Sequence, residues 1–153
     1  MEEFRVVIPD EKYTVLEFLQ EDFPGVALIN RALRTFEPKV VFGWHLSLMI
    51  GFEDVIENGM PSQKERGVID EFEGRFSSLL KGPDLEKPNA LFLARITWNK
   101  TRELIWRVYE PETAHKLLEI IIEQNQFSRR FDYRLEYDKD WELAEWHLAE
   151  HKK

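Results

Sequence analysis

The chain has 153 residues, of which 43% are hydrophobic and 13% are aromatic. This length and composition exclude a disordered chain and predict one domain with a sizeable buried core. Cysteine is absent, which excludes disulfide bonds, thiolate metal sites and cysteine nucleophiles. The net charge of −8 argues against nucleic acid as a partner, because that interaction relies on Lys and Arg to neutralise phosphates.

No apolar run approaches the roughly 20 residues that a membrane-spanning helix needs. The first residues, MEEFR, are acidic where a secretory leader is basic. We therefore expect a cytoplasmic protein without a membrane segment.

The first third of the chain is predicted to be rich in strands. Residues 4–8 and 26–29 are short apolar runs typical of strands, whereas residues 13–19 fit a strand or a helix, because a short apolar run does not distinguish the two. Residues 40–52 alternate with period two, which predicts one strand with a single face on the core. That face would carry Val40, Phe42, Trp44, Leu46, Leu48, Ile50 and Phe52.

A helix is predicted next, because Ser62 and Glu65 have the spacing of a capping box and an apolar stripe follows at helical spacing. The stripe comprises Val68, Ile69, Phe72, Phe76, Leu79 and Leu80. The helix is expected to end at Gly82-Pro83.

A hairpin follows, with its turn at residues 99–101. Pro111 suits the first turn of a second helix, and Asn125 its left-handed end. Residues 131–137 alternate as a strand, and Asp138 and Asp140 are interpreted as acids at the start of a closing helix. One hairpin face would hold Phe92, Ala94, Ile96 and Trp98 with Leu104, Trp106 and Val108, and the other Leu91, Leu93, Arg95 and Thr97 with Ile105, Arg107 and Tyr109.

These elements predict a single α+β domain over residues 1–153. Its core, about residues 40–137, would be ferredoxin-like, a βαββαβ antiparallel sheet with two helices on one side. Residues 1–39 would add N-terminal strands, and residues 138–153 a short C-terminal helix.

Three motifs resemble a bacterial family known as domain-of-unknown-function family 695. They are NGMPS at 58–62 with Glu65, RELIWRVY at 102–109, and DKDW at 138–141. The resemblance covers about residues 13–148 and implies an α+β fold without an accepted activity or cofactor. Domains of this kind are sometimes fused to domains similar to the regulator of ribonuclease activity, class B, which acts by binding protein.

The segment HLAEH, residues 147–151, matches a zinc-protease signature, H-x-x-E-H. Such enzymes need a third protein ligand, and only Lys152 and Lys153 follow. We therefore predict no metal site. No G-x-S-x-G elbow or glycine-rich phosphate loop is present, so we also predict no catalytic set and no cofactor.

One group of polar residues is a candidate binding site. If the helices cover the apolar sheet face, the other face would present His45, Arg95, Arg107, Tyr109 and Arg134, near Ser47 and Met49. Arginine binds carboxylates and phosphates, and Arg and Tyr are enriched at interface hot spots. Two alternatives stay open: the arginines pair with Asp132, Glu136 and Glu103 across strands, or the N-terminal strands cover this face. Trp44, Trp98 and Trp106 are interpreted as core.

Two functions fit these observations. The first is a non-enzymatic module that binds and regulates another protein through the Arg/Tyr sheet face. The second is an enzyme or binder for a small anionic metabolite near His45. The absence of a catalytic set favours the first, and an exposed sheet edge would permit a homodimer.

Overall fold

The structure is a computed structural model that describes residues 6–124, 127 and 129–150. Its centre is one antiparallel sheet of six strands, in the spatial order β1-β2-β4-β5-β3-β6. The strands are β1 (Tyr13–Gln20), β2 (Phe23–Asn30), β3 (Trp44–Gly51), β4 (Ala90–Trp98), β5 (Thr101–Val108) and β6 (Phe131–Tyr137). The predicted α+β class is confirmed.

The six-stranded order differs from that of a four-stranded ferredoxin-like sheet. The hairpin of β1 and β2 extends the sheet beside β4, and β1 and β6 form its two edges. Residues 13–19, which fitted a strand or a helix, are strand. Residues 6–10 form no strand, and residues 1–5 lie outside the described part of the chain.

Two helices cover one side of the sheet, which we call the helix face. They are α1 (Gln63–Lys81) and α2 (Pro111–Glu123), and α2 begins with proline at its first turn as predicted. Apolar residues of both helices pack on β3, β4, β5 and β6 in one core, in which Trp106 is fully buried. The predicted stripe on α1 supplies Ile69, Phe72, Phe76 and Leu80.

The other side of the sheet, which we call the opposite face, has its own apolar core. It is covered by 3-10 turns at Arg31–Arg34 and Lys39–Phe42 and by the C-terminal segment, which contains a 3-10 turn at Glu142–Ala144 and the short helix α3 (Glu145–Leu148). Phe36, Phe42 and Trp141 of these segments pack on β2, β4 and β5. Much of the predicted open face is therefore closed.

The predicted strand over residues 40–52 is wrong at its start. Residues 39–42 form a 3-10 turn, and the strand begins at Trp44. Phe42 is buried like the apolar residues of the strand, so the apolar alternation in the sequence continues through the turn. Phe42, however, packs in the core of the opposite face. Asn125, the predicted end of α2, lies outside the described residues.

A β-bulge changes the faces of β4. The register of β4 on β5 shifts between Phe92 and Ala94, so one residue is unpaired and the alternation reverses beyond it. Arg95 is consequently on the helix face with Leu104, and Ile96 and Trp98 are on the opposite face. The predicted faces of β4 are therefore correct before the bulge and wrong after it, whereas those of β5 are correct.

The NGMPS motif shapes the loop before α1. Ser62 accepts a hydrogen bond from Glu65 N over 3.1 Å, as the capping box predicts. The Glu65 carboxylate, however, accepts from Glu53 N and from Arg129 instead of from Ser62 N. Gly59, with φ of +82°, places its carbonyl to accept from Lys100 N over 2.8 Å, which docks the loop on the β4–β5 turn.

Candidate functional site

The five predicted binding residues do not lie on one open face. His45 and Arg107 are buried under the C-terminal segment on the opposite face, whereas Arg95 is on the helix face. Tyr109, just beyond β5, is 49% exposed, and Arg134 is exposed on β6. The expectation of an open surface shared by all five is therefore wrong, because of the β4 bulge and the covering C-terminal segment.

Arg95 is held by a carboxylate of α1. Its Nε donates to Glu73 Oε1 over 2.6 Å, and its Nη2 also contacts the Glu73 carboxylate. Beside this pair, Arg102 Nη1 donates to Asp70 over 2.6 Å. These ion pairs join α1 to β4 and β5, and the Arg95 guanidinium is therefore engaged inside the molecule.

Arg107 is fully buried at the centre of a polar network. Its Nη1 donates to Asp138 Oδ2 over 2.9 Å and its Nη2 to the Asp138 carbonyl over 2.5 Å. Its Nε donates to the Phe42 carbonyl over 3.2 Å, and its guanidinium carbon lies 4.6 Å from the centre of the Trp141 ring. Every nitrogen of this arginine is thus used to join β5 to the segments that cover the opposite face.

His45 is part of the same network. Its Nδ1 lies 3.1 Å from Arg107 Nη1 and accepts that proton, because a guanidinium only donates. Burial and then the positive charge of Arg107 lower the pKa of His45 to about 4. His45 is therefore neutral at pH 7, whereas a general acid–base group working there has a pKa near 7. This geometry gives no support to acid–base chemistry at His45.

The DKDW motif anchors the C-terminal segment. Asp138 accepts from the backbone N–H groups of Glu142 and Leu143, each over 3.0 Å. Burial alone would raise the pKa of Asp138, but the hydrogen bonds from Arg107 and these N–H groups lower it below its ordinary value. Trp141 donates from Nε1 to the carbonyl oxygens of Lys39 and Phe42 over 2.8 and 3.1 Å. Asp138 therefore accepts at the start of a helical segment, as predicted for an acid there, and it also neutralises Arg107.

An open cleft of about 490 Å³ lies on the opposite face where these covering segments end. Its floor is formed by side chains of β3, β4 and β5, and its sides by β1 and by Trp146 of α3. Its lining comprises Phe18, Leu19, Gln20, Met49, Ile96, Trp98, Thr101, Glu103 and Trp146.

Gly25 shapes one side of this cleft. It is the cross-strand neighbour of both Phe18 and Trp98, so the β2 position between them has no side chain. The Phe18 ring occupies the space, because a Cβ added to Gly25 would lie only 2.1 Å from Phe18 Cζ. The indole Nε1 of Trp98 donates to the carbonyl oxygens of Gln20 and Phe23, each over 3.2 Å, which fixes this ring beside the β1–β2 turn.

Glu103 supplies the carboxylate of the cleft. Its Oε2 accepts from Ser47 Oγ over 2.5 Å, and Met49 is its cross-strand neighbour on β3. Within the described part of the chain, no Lys, Arg or His lines the cleft and no cation within 4.0 Å is paired with Glu103. The cleft therefore combines three aromatic rings with one carboxylate.

The cleft was not predicted from the sequence because it depends on the bulge. Trp98 was assigned to the helix-face core with Trp44 and Trp106, and the other two do pack there. No residue pattern marks the bulge at Leu93. A usable signal was Gly25 within an apolar strand, since such a glycine often marks a bulge or a close approach.

The HLAEH segment lies partly within the described structure. His147 belongs to α3, whereas His151 lies outside the described residues. In the described ranges, no group of three or more His, Asp or Glu side chains is placed to hold a metal ion. None of the helices found there has both the length and the apolar character needed to span a bilayer.

No curated protein and no solved structure is significantly similar to this chain. A family profile does match, over residues 18–146, and this range contains the cleft, the Arg107 network and all three sequence motifs. Because the match covers most of the chain, the protein belongs to the family of unknown function DUF695.

Proposed function

We propose that the chain is a non-enzymatic binding module whose cleft receives a segment of another protein. The observation that carries this proposal is the cleft itself, an aromatic-lined depression on a sheet face of which much is covered by an apolar core. A regulatory role would follow from the identity of the protein bound there. The proposed binding site is therefore formed by Phe18, Trp98, Glu103 and their neighbours, in place of the Arg/Tyr residues predicted from the sequence.

The rim of the cleft favours a protein over a small metabolite. Met49 is 41% exposed and Trp146 50%, so apolar surface continues from the floor onto the outer surface. Trp and Met are enriched at protein interfaces, and buried Trp anchors dominate binding energy. A partner segment that lies across the rim would remove both side chains from water.

The negative charge of the chain and of the cleft favours a basic partner. The chain carries a net charge of −8, and among the described residues the lining of the cleft includes Glu103 and no cation. An anionic metabolite, the alternative function, would meet no positive charge there. It would not meet one near His45 either, because Arg107 is buried and neutralised by Asp138.

Three further expectations are part of this proposal; they concern the origin of the fold, the cellular location and the oligomeric state. We infer a ferredoxin-like origin for β3 to β6 and the two helices, supported by the order β4-β5-β3-β6 of these four strands. We place the module in the bacterial cytoplasm, a reducing compartment that a chain without cysteine permits because it has no disulfide bonds to form. A homodimer would use the exposed edge of β1.

The test is site-specific crosslinking followed by reconstitution. A photo-reactive phenylalanine analogue replaces Met49 in the cleft or, as the matched control, Ile120, which is similarly apolar and 47% exposed on α2. We expect a partner to be crosslinked in lysate from position 49 and not from position 120. The purified partner should then bind the wild-type chain and lose at least tenfold in affinity to Met49→Ser and Trp146→Ser.

Both serine variants replace exposed side chains, so they should remain folded, which circular dichroism checks. The proposal fails if the two positions crosslink the same proteins, or if the purified partner binds the serine variants as tightly as it binds the wild type.

A further inference from the structure

Building on the proposed function, we propose that the cleft binds an alkylammonium group, the side chain of a lysine in the partner, between Glu103 and the rings of Phe18, Trp98 and Trp146. The charge of the floor, the aromatic sides and the hydrogen bonding of the carboxylate each favour this ligand.

The negative charge of Glu103, on the floor of the cleft, can interact with a ligand. Glu103 lies half-buried on β5, and within the described structure its polar side-chain contact is the hydrogen bond from Ser47. Two other acids that contact the sheet are each matched by a cation, Asp138 by Arg107 and Glu73 by Arg95. A partly desolvated carboxylate without such a cation attracts one more strongly than an exposed carboxylate does.

The aromatic sides add a second attraction for the same charge. The face of an aromatic ring is electron-rich and attracts a cation within about 6 Å, by roughly 0.5–2 kcal/mol, and Trp is the strongest of these rings. Two Trp and one Phe surround the cleft that contains Glu103. Ile96 and Met49 supply the apolar contacts that the aliphatic part of a lysine side chain would bury.

The Ser47 hydrogen bond selects ammonium over guanidinium. Arginine binds a carboxylate best through two parallel N–H···O bonds that use both oxygens. In the cleft Oε2 already accepts from Ser47 Oγ, so a guanidinium bound to both oxygens would have to share Oε2 with the serine. An ammonium is a compact point charge that needs one such oxygen.

The test must distinguish the effect of Glu103 from the effects of other charged groups nearby. On β6, Arg134 is the cross-strand neighbour of Ser47 and Asp132 that of Met49, and both are exposed. Lys100 adjoins Thr101 in the β4–β5 turn and is also exposed. Replacing Asp132 removes an equal charge from the same face, so it serves as the control for a general field effect.

The experiment titrates the purified full chain with four small probes. They are butylammonium, butylguanidinium, choline and 3,3-dimethylbutan-1-ol, the last of which is the neutral carbon isostere of choline. Binding is followed through the indole N–H signals of Trp98 and Trp146 in proton–nitrogen NMR spectra. We expect both ammonium probes to bind at least tenfold more tightly than the neutral isostere, and butylammonium more tightly than butylguanidinium.

The matched variants are Glu103→Gln, which keeps an acceptor for Ser47, and Asp132→Asn. We expect Glu103→Gln to remove the preference for ammonium over the isostere, and Asp132→Asn to retain it. Equal binding of choline and its isostere, binding of no probe, or an unchanged preference in Glu103→Gln would each overturn this inference. Those results would leave the proposed function standing if the crosslinked partner still depended on Met49 and Trp146. If instead the ammonium probes bound as expected but the partner bound equally well without both residues, the proposed function alone would be contradicted.

Discussion

Arg107 and Asp138 form a buried ion pair that joins the middle of the sheet to the C-terminal segment. The two residues are 31 positions apart, and the Arg107 side chain is 0% exposed and that of Asp138 8%. They belong to two of the three motifs by which the sequence resembles its family. The pair neutralises a charge inside the opposite-face core, so these motif residues have an evident structural role.

Replacing Arg107 with Met should strongly destabilise the fold. The apolar part of the side chain is kept, but the Asp138 carboxylate is left buried without its cation. Removing one partner of a buried pair typically costs about 3–5 kcal/mol. Urea denaturation gives the free energy of unfolding. Arg134→Met, at an exposed position, is the control and should change it by less than about 0.5 kcal/mol. A cost at Arg107 no larger than this control would show that the pair does not stabilise the fold.

Acid should destabilise the chain through His45. Its pKa of about 4 in the folded state lies below the ordinary 6.5, so the unfolded chain binds the proton more readily. The stability from neutral His45 is complete above pH 6.5 and is lost as the pH falls toward 4. Between pH 7 and pH 4.5 we expect a loss of about 2 kcal/mol.

The matched variant for this pH dependence is His45→Gln, which does not titrate. The free energy of unfolding of both proteins is measured by urea denaturation across the same pH range. The wild type should lose stability relative to the variant as the pH falls, while the pairing of Asp138, whose pKa is lowered, persists to lower pH. Parallel curves for the two proteins would contradict the assignment.

Local patterns in the sequence were sufficient to predict much of the fold. The period of 3.6 in α1, Pro111 at the start of α2 and the alternation in β6 each specify an element without reference to the rest of the chain. The candidate site was harder to predict, because it depends on long-range geometry. A shift of one position at the β4 bulge moves Arg95 to α1 and Trp98 to the cleft.

The covering of the opposite face was also beyond local patterns. Alternation from residue 40 onward is consistent with a strand, and only tertiary packing shows that Phe42 serves a different core from Leu46. Likewise an arginine in a strand is usually exposed, and its burial at position 107 depends on an aspartate 31 residues later.

The two glycines Gly59 and Gly74 should respond oppositely to alanine. Gly59 has φ of +82°, and an added Cβ would lie 3.0 Å from Asn99 Cα, so Gly59→Ala is expected to cost at least about 1–2 kcal/mol. Gly74 is exposed within α1, and an added Cβ there would meet nothing within 4 Å. Gly74→Ala should stabilise the fold by about 0.5–1 kcal/mol. Thermal and urea denaturation measure both, and the prediction is wrong if the two variants change stability in the same direction.

Gly25 and Phe18 should be energetically coupled, because the ring occupies the space that a Cβ at position 25 would need. Gly25→Ala must displace Phe18, since its Cβ would lie 2.1 Å from Phe18 Cζ, and such overpacking typically costs about 1–3 kcal/mol. In the Phe18→Ala background the added Cβ meets no ring, so the same substitution should cost much less. Urea denaturation of the four proteins in this cycle gives the coupling energy, expected to be about 1 kcal/mol or more. Gly51→Ala is the control, because nothing lies within 4 Å of its added Cβ and no coupling to Phe18 is expected. If the Gly25 and Phe18 substitutions were additive, Phe18 would not lie over Gly25, and the aromatic side of the cleft would have to be assigned to other residues.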